Sequence, residues 1–416
     1  MTTELARTPL ERREALADPV QRLDRMLEIR RFEDRIKDLF AEGLIHGTTH
    51  TCQGQEAVSI GIALAARPTD WVCCTYRGHG TALALGMTLD AILGEITGRA
   101  IGTIGGVGGS MHLSERSVGL MPTSAIVGAG IPIAAGAALS AQVKCEDHSA
   151  VAVFGDGATN IGAFHEGLNL ASIWKLPVVF VCENNTYGEY SRIDRTTPVT
   201  DLAVRAGSYA MPSEIVDGQE IDAVNAAMTS AFERARSGGG PTFLECKTYR
   251  YSGHSRADPG SYRPEGELDE WLARDPITLY RARLIAGGLL DEAAADELAA
   301  DVERRVEECI GRVMASELAD VASMFSNVRS DTDAMSGVEP VLLARLGETV
   351  DEVVVVEWLV EVGAVVQVGD PLVRVETDKV EVEVEAPFGS MVTELLVAEG
   401  DDVATGATIC RIDEGG

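Results

Sequence analysis

Three rhythms of apolar and polar positions run along the chain. Over residues 19–40, Leu23, Leu27, Ile36 and Leu39 recur at helical spacing and Gly43 follows, which predicts an amphipathic helix. The rhythm then shortens. Val151 to Phe154 is a four-residue apolar run, broken by Gly155-Asp156-Gly157. Helical spacing returns in Ile161, Phe164, Leu168 and Ala171, and a second apolar run, Val178 to Cys182, ends in Glu183-Asn184-Asn185-Thr186-Tyr187. Strand, glycine turn, helix, strand is one βαβ unit of a parallel α/β sheet, with polar groups gathered where its strands end. Further on, Ser213 to Val216 and Thr242 to Lys247 read as strands, and Asp222 to Arg236 as a helix capped by Asp222. Asp275-Pro276 opens another helix. Asp291 to Val321 reads as a charged, largely solvent-facing helical region.

Beyond residue 338 the period drops to two. Val380, Val382 and Val384 alternate with Glu381, Glu383 and Glu385, the mark of half-buried strands. The segment also repeats itself. Leu359, Gly363, Val366, Gly369, Leu372, Arg374 and Val375 recur as Leu396, Gly400, Val403, Gly406, Ile409, Arg411 and Ile412, always 37 residues apart. A repeated all-β half predicts a small sandwich of two similar sheets, with Glu376-Thr377-Asp378-Lys379-Val380 as the turn between the halves. Ser326 to Val338 is polar and patternless, a linker.

Composition narrows the setting. With 35 basic against 65 acidic residues the net charge is −30, which argues against nucleic acid and anionic membranes as partners. Eight cysteines form no C-x-x-C pair and no zinc spacing, which fits a reducing cytoplasm, and the vicinal Cys73-Cys74 reads as packing. Residues 1–18 are charged and carry no apolar core, so no signal peptide is visible. The apolar tract from Ala125 to Ala141, interrupted by glycine and Pro132, is too short for a membrane span and reads as a tightly packed internal helix.

The candidate chemistry sits on the βαβ unit. The glycines of Gly155-Asp156-Gly157 let backbone approach a ligand, and Asp156 and Asn185 supply hard oxygens of the kind Mg²⁺ takes beside phosphate. Asp and Asn are also common turn residues. What separates the readings is that both ends of one unit carry such groups. Glycine-dense Gly102 to Met111 spells no G-x-G-x-x-G and reads as a loop.

Gly155-Asp156-Gly157, some thirty residues and then Asn184-Asn185 resembles the thiamin-diphosphate signature. His165-Glu166-Gly167-Leu168-Asn169 and Trp174-Lys175-Leu176-Pro177 extend the likeness to the α subunit of the decarboxylating component of 2-oxo acid dehydrogenase complexes, and acetoin dehydrogenase α subunits share this text. The resemblance implies Mg²⁺ on Asp156, Asn185 and the backbone carbonyl of Tyr187. It implies thiamin diphosphate against Tyr76, Arg77, Ala125, Val127, Gly155, Asp156, Gly157, Ala158, Asn185 and His254, with His50, His79 and His254 as catalytic groups. Tyr249 to Arg263 resembles the loop that carries a family histidine, here His254, and Ser255 and Ser261 fall at its phosphorylation positions. Glu189 stands where pyruvate-type members often place an apolar residue, and acetoin-type sequences look similar there.

The β segment resembles a lipoyl domain, which makes Lys379 the attachment site of covalent lipoate. Biotin carriers are similar but flank their lysine with methionines. The expected organisation is a cofactor-binding domain over residues 1–325, a linker over 326–338 and a lipoyl domain over 339–416. The resemblance further implies oxidative decarboxylation of pyruvate with acetyl transfer to lipoyl-lysine. Acetoin cleavage, or a carrier role with little activity of its own, are the alternatives. The implied partners are a β subunit in an α₂β₂ assembly, whose carboxylate activates the cofactor, and separate acyltransferase and dihydrolipoyl dehydrogenase chains.

Overall fold

A computed structural model describes residues 7–321, 338–343, 352–377, 380–387 and 389–413. They fall into two compact units that divide between Ala319 and Asp320.

The first unit is built on a five-stranded parallel sheet in the order Trp71–Cys73, Ala150–Gly155, Val178–Asn184, Thr242–Lys247, Ser213–Asp217. Burial on both faces explains the unbroken apolar runs. Val151, Val153, Val179, Val181 and Leu244 point into a core shared with the helices Pro19–Ala41, Glu56–Ala65 and Ile221–Arg236. The alternate residues Ala150, Ala152, Phe154, Phe180 and Phe243 pack on the opposite side against Gly130–Lys144 and Gly162–Ile173.

The long helix Pro19–Ala41 starts where Asp18 accepts the Val20 N–H at 2.9 Å and stops at Gly43, whose φ of 78° suits glycine. Its inner face is not wholly apolar. Glu28, fully buried, meets Arg12 at 2.6 Å, Arg25 at 3.1 Å and Arg305 at 2.8 Å. Burial alone would raise the Glu28 carboxyl, but the three guanidiniums prevail and hold it at about 2.

Several sequence expectations change. The helix Ile221–Arg236 begins after Glu220, so Asp222 lies in its first turn and pairs with Arg283 at 3.1 Å instead of capping. The last helix of the unit is shorter than expected, Glu292–Met314, and buries Ala295, Val302, Val306, Cys309 and Val313 along one face. The tract at Ala125 forms the helix Gly130–Lys144 but is not internal all round. Ile131, Ala134, Ala138 and Ala141 are buried, while Ile133 and Val143 are exposed. An apolar composition tells that a helix wants covering, not whether its own chain covers it.

The second unit is a sandwich of two four-stranded antiparallel sheets. One has the order Val365–Val366, Ser390–Leu395, Thr408–Asp413, Val338–Leu342, and the other Glu381–Glu385, Pro371–Glu376, Glu352–Trp358, Asp402–Ala404. The repeat thus does supply two similar sheets, closed over Val353, Val355, Leu372, Val375, Val392 and Ile409. Val338 already belongs to a strand, pairing with Asp413, so the expected linker loses its last residue. Pro371–Glu376 and Glu381–Glu385 form a hairpin with Glu376 opposite Glu381, tied at its end by Thr377 N–H donating to the Val380 carbonyl at 2.9 Å. Lys379 and most of the linker lie outside the described residues.

Among the described residues no helix is long and apolar enough to cross a membrane.

Candidate active site

A cavity of about 450 Å³ opens beyond the carboxyl ends of the central strands, where an open parallel sheet holds its ligands. Strand Ala150–Gly155 delivers Gly155, Asp156, Gly157 and Ala158 to its wall, and strand Val178–Asn184 delivers Glu183, Asn185 and Tyr187. Tyr76, Arg77, Ala125, Val127, His50 and His254 complete the set, so all but one of the residues expected at the cofactor, metal and catalytic site line one cavity.

The exception is His79. It is fully buried outside the cavity lining, with Nδ1 2.9 Å from Glu33 Oε2 and Nε2 2.9 Å from Ser110 Oγ. Glu33 Oε1 in turn accepts the Cys52 N–H at 2.9 Å. His79 therefore braces the wall behind His50 and does not face the cavity.

Asp156 is 1% exposed and its Oδ2 has no hydrogen-bond partner. Burial pushes its carboxyl up to about 6, only partly offset by backbone N–H groups. An orphaned buried carboxylate oxygen aimed at a cavity fits a cation ligand. The two asparagines divide their work. Asn184 donates to Glu245 Oε1 at 2.7 Å and accepts the Thr186 N–H at 3.2 Å, which fixes the strand end. Asn185 turns the other way, donating to Gln55 Oε1 at 2.9 Å and accepting the Tyr187 N–H at 3.4 Å. The Tyr187 phenol points to Glu267, at 2.7 Å, so only its backbone is placed for a ligand role. Among the described residues no group of three or more His, Cys, Asp or Glu is placed to hold a metal ion.

The glycines fit a close-approaching ligand. A Cβ built at Gly155 would meet no atom, whereas one at Gly128, with φ of 74°, would sit 2.2 Å from Ile161 Cδ1. Glu189 in the cavity wall and Thr186 near it also hold left-handed backbone, φ 55° and 79°, at a cost of about 1–3 kcal/mol each.

The histidine wall is electropositive. The His50 ring lies 5.0 Å from that of His254 and 4.4 Å from Tyr76. Burial, then Arg77 and the other nearby cations, lower His50 to about 3 and His254 to about 4. Both are neutral at pH 7, and the buried His50 Nδ1 has no partner, so a proton can be given or taken there. The folded state thus resists protonation that the unfolded chain accepts near pH 6.5. Stability contributed by these two rings is present above pH 6.5 and lost as pH falls from there towards 4. His50→Asn should flatten the urea-midpoint profile between pH 6.5 and 4 relative to wild type; parallel profiles would contradict the assignment.

Three residues of the site, Arg250, Glu183 and Glu95, escape a reading of the sequence, and the expected Arg77 makes contacts that the sequence does not reveal. Arg77 spends its fork on protein carbonyls, Thr51 O at 2.5 Å and His254 O at 2.9 Å, so it ties the two histidine segments together. Arg250, buried at the end of Thr242–Lys247, lines the cavity, approaches His254 Nδ1 at 3.4 Å and holds the Glu189 carbonyl at 3.0 Å. Its position at a strand's carboxyl end was the available signal. Glu183 lines the cavity with its carboxyl raised to about 7 by burial against the pull of Arg77 and Gln55. The glycine loop Gly102–Met111 owes its shape to Glu95. That buried carboxylate accepts the N–H groups of Ile104 and Gly106 at 2.9 Å and of Gly108 at 2.6 Å, placing Ser110 against His79 and Met111 in the cavity wall.

Residues 24–321 match the family described as dehydrogenase E1 component, and residues 339–412 that of biotin-requiring enzymes. The chain is 44% identical over 292 residues to the α subunit of acetoin:2,6-dichlorophenolindophenol oxidoreductase of Bacillus subtilis, a match spanning 70% of this chain and 86% of that one. It is 37% identical over 312 residues to the α subunit of the pyruvate dehydrogenase E1 component of Rhizobium meliloti, spanning 75% and 90%. With the Cupriavidus necator acetoin oxidoreductase α subunit it shares 39% over 305 residues, spanning 73% and 92%.

Proposed function

We propose, since the chain belongs to the dehydrogenase E1 component family and carries a biotin/lipoyl-type domain behind it, that it is the α subunit of a 2-oxo acid dehydrogenase first component. The reaction is the oxidative decarboxylation of pyruvate, with the acetyl unit passed to lipoyl-lysine, and Lys379 is the lysine that carries the lipoate. The observation that supports this most is the orphaned, buried Asp156 Oδ2 sharing a cavity with Asn185 and two neutral histidines. Acetoin cleavage is the second reading, favoured by Glu189 in the cavity wall and by the 44% identity to an acetoin oxidoreductase subunit.

Asp156, Asn185 and the Tyr187 carbonyl would hold Mg²⁺. Tyr76, Arg77, Ala125, Val127, Gly155, Gly157, Ala158 and His254 would hold thiamin diphosphate, with Arg250 added from the structure. When bound, the cofactor supplies the electron sink for breaking the bond beside the substrate carbonyl. The chain's own part is to neutralise the diphosphate with guanidinium charge and to hold His50 and His254 uncharged, so that their N–H groups donate to developing negative charge. His79 acts at one remove, positioning the wall behind them.

The activating carboxylate is proposed to come from a β subunit in an α₂β₂ assembly within the cytoplasm. Acyltransferase and dihydrolipoyl dehydrogenase chains would complete the cycle. Exposed apolar residues beside the cavity, Ile126 at 71% and Val127 at 48%, with Ile133 and Val143 on the neighbouring helix, support such a covering partner. The purified chain alone should bind thiamin diphosphate weakly and release no CO₂ from pyruvate, both being restored by co-expression with the β subunit. Full decarboxylation by the lone chain would refute this.

A further inference from the structure

A second cavity, of about 630 Å³, lies between the helix Pro19–Ala41 and the loop that carries His254. Its charged lining is Arg30, Asp34, Lys37, Arg256, Asp258 and Arg263. We propose that it is a binding site for a small dianion of the phosphate class.

The charge account carries the proposal. Arg30 is already committed, to Glu56 at 2.5 Å and Asp275 at 2.8 Å. Asp258 is committed to its own loop, accepting the His254 N–H at 2.5 Å and the Gly260 N–H and Tyr262 hydroxyl at 2.8 Å. Asp34 accepts the neutral Gln53 amide at 3.0 Å, so its charge stays in the cavity. Three cations remain without a carboxylate partner among the described residues. Lys37 reaches only the Ser252 hydroxyl, at 3.3 Å. Arg263 donates to the backbone carbonyls of Arg250, Tyr251 and Ser252. Arg256 lies 3.6 Å above the Phe40 ring, and stacking engages the face of a guanidinium while leaving its in-plane donors for a second partner. In a chain with 65 acidic and 35 basic residues, three such cations converge on a concavity where Asp34 is the one carboxylate left to oppose them, a net charge that suits a dianion.

Cations approaching from a helix, a loop and its far strap suit a tetrahedral anion with several oxygens better than one planar carboxylate. The hydroxyls of Ser252 and Ser255 and Thr51 on the same wall add neutral hydrogen-bonding groups. An anion here would cross-link the helix to the loop 252–263. The same loop presents His254 to the cofactor cavity, held there by Asp258 and Arg77. Binding would therefore stiffen the histidine wall from behind.

The test is calorimetric titration of the full chain with inorganic phosphate at constant ionic strength, beside hydrogen exchange of residues 252–263. A parallel arm uses glycerol phosphate. Tighter binding of the ester would point to a phosphorylated metabolite, and equal or weaker binding to free phosphate. Saturable one-site binding, slower exchange of the loop, and loss of affinity of about tenfold or more in Lys37→Gln and in Arg256→Gln are expected, since each removes a charge-assisted contact. Lys37 is exposed, so its variant tests the site without endangering the fold. Absence of saturable binding, or affinity unchanged in both variants, would overturn the proposal. So would affinity lost in Arg250→Gln but not in Lys37→Gln, which would put the phosphate in the cofactor cavity.

Discussion

Asp156→Ala should abolish Mg²⁺-dependent binding of thiamin diphosphate by the assembled enzyme, lowering affinity by at least about a hundredfold. The variant removes the hard oxygen that the proposed site would offer to a divalent cation beside a diphosphate. Asn185→Ala should act in the same direction. A companion result makes the assignment sharper. Burial raises the Asp156 carboxyl to about 6 from a usual value of 3.8, so the folded state loses stability as pH rises through that interval. At pH 7 and without cofactor, Asp156→Asn should therefore be more stable than wild type, by about 1–3 kcal/mol. A residue that weakens the empty fold and is needed for the loaded one is what a ligand site predicts. Unchanged cofactor affinity in calorimetry, or a loss of apo stability in Asp156→Asn, would sink the metal-site assignment.

Lys379→Arg should stop reductive acylation of this chain while decarboxylation, followed with an artificial electron acceptor, continues at the wild-type rate. Arginine keeps the charge but offers no amine for amide formation with lipoate. In the proposal the chemistry belongs to one unit and the carriage to the other, with the polar stretch 326–337 between them in sequence. A linker of a dozen residues reaches about 40 Å when extended, which would hold the carrier near its own assembly at an effective concentration of order millimolar. Loss of both activities in a folded variant would mean that the second unit does more than carry.

What could be read in advance follows from where the determining contacts lie. The βαβ unit was legible because its strands are buried on both faces and the polar break between them, Gly155-Asp156-Gly157, is local. The sandwich was legible because one half repeats the other. Long-range contacts were not. Nothing local separates Asn184, turned to Glu245, from Asn185, turned to Gln55 130 residues away. The same holds for His79, grouped with His50 and His254 by resemblance but buried against Glu33, 46 residues earlier. Glu95 gives no sign, in a helix, that it organises the glycine loop after it. Arg250 is different, because it follows a strand's carboxyl end, where an open parallel sheet gathers its ligand groups.

The central claim is that one chain carries both an acyl-generating site and the lysine that receives the acyl group. It is tested most directly by mass spectrometry of the native chain, purified with its β subunit, before and after pyruvate is added with thiamin diphosphate and Mg²⁺. The account predicts one lipoyl group on the peptide containing Lys379 beforehand and one acetyl group added to it afterwards. An unmodified Lys379 in the native protein, or a lipoylated one that never gains the acetyl group, would contradict it.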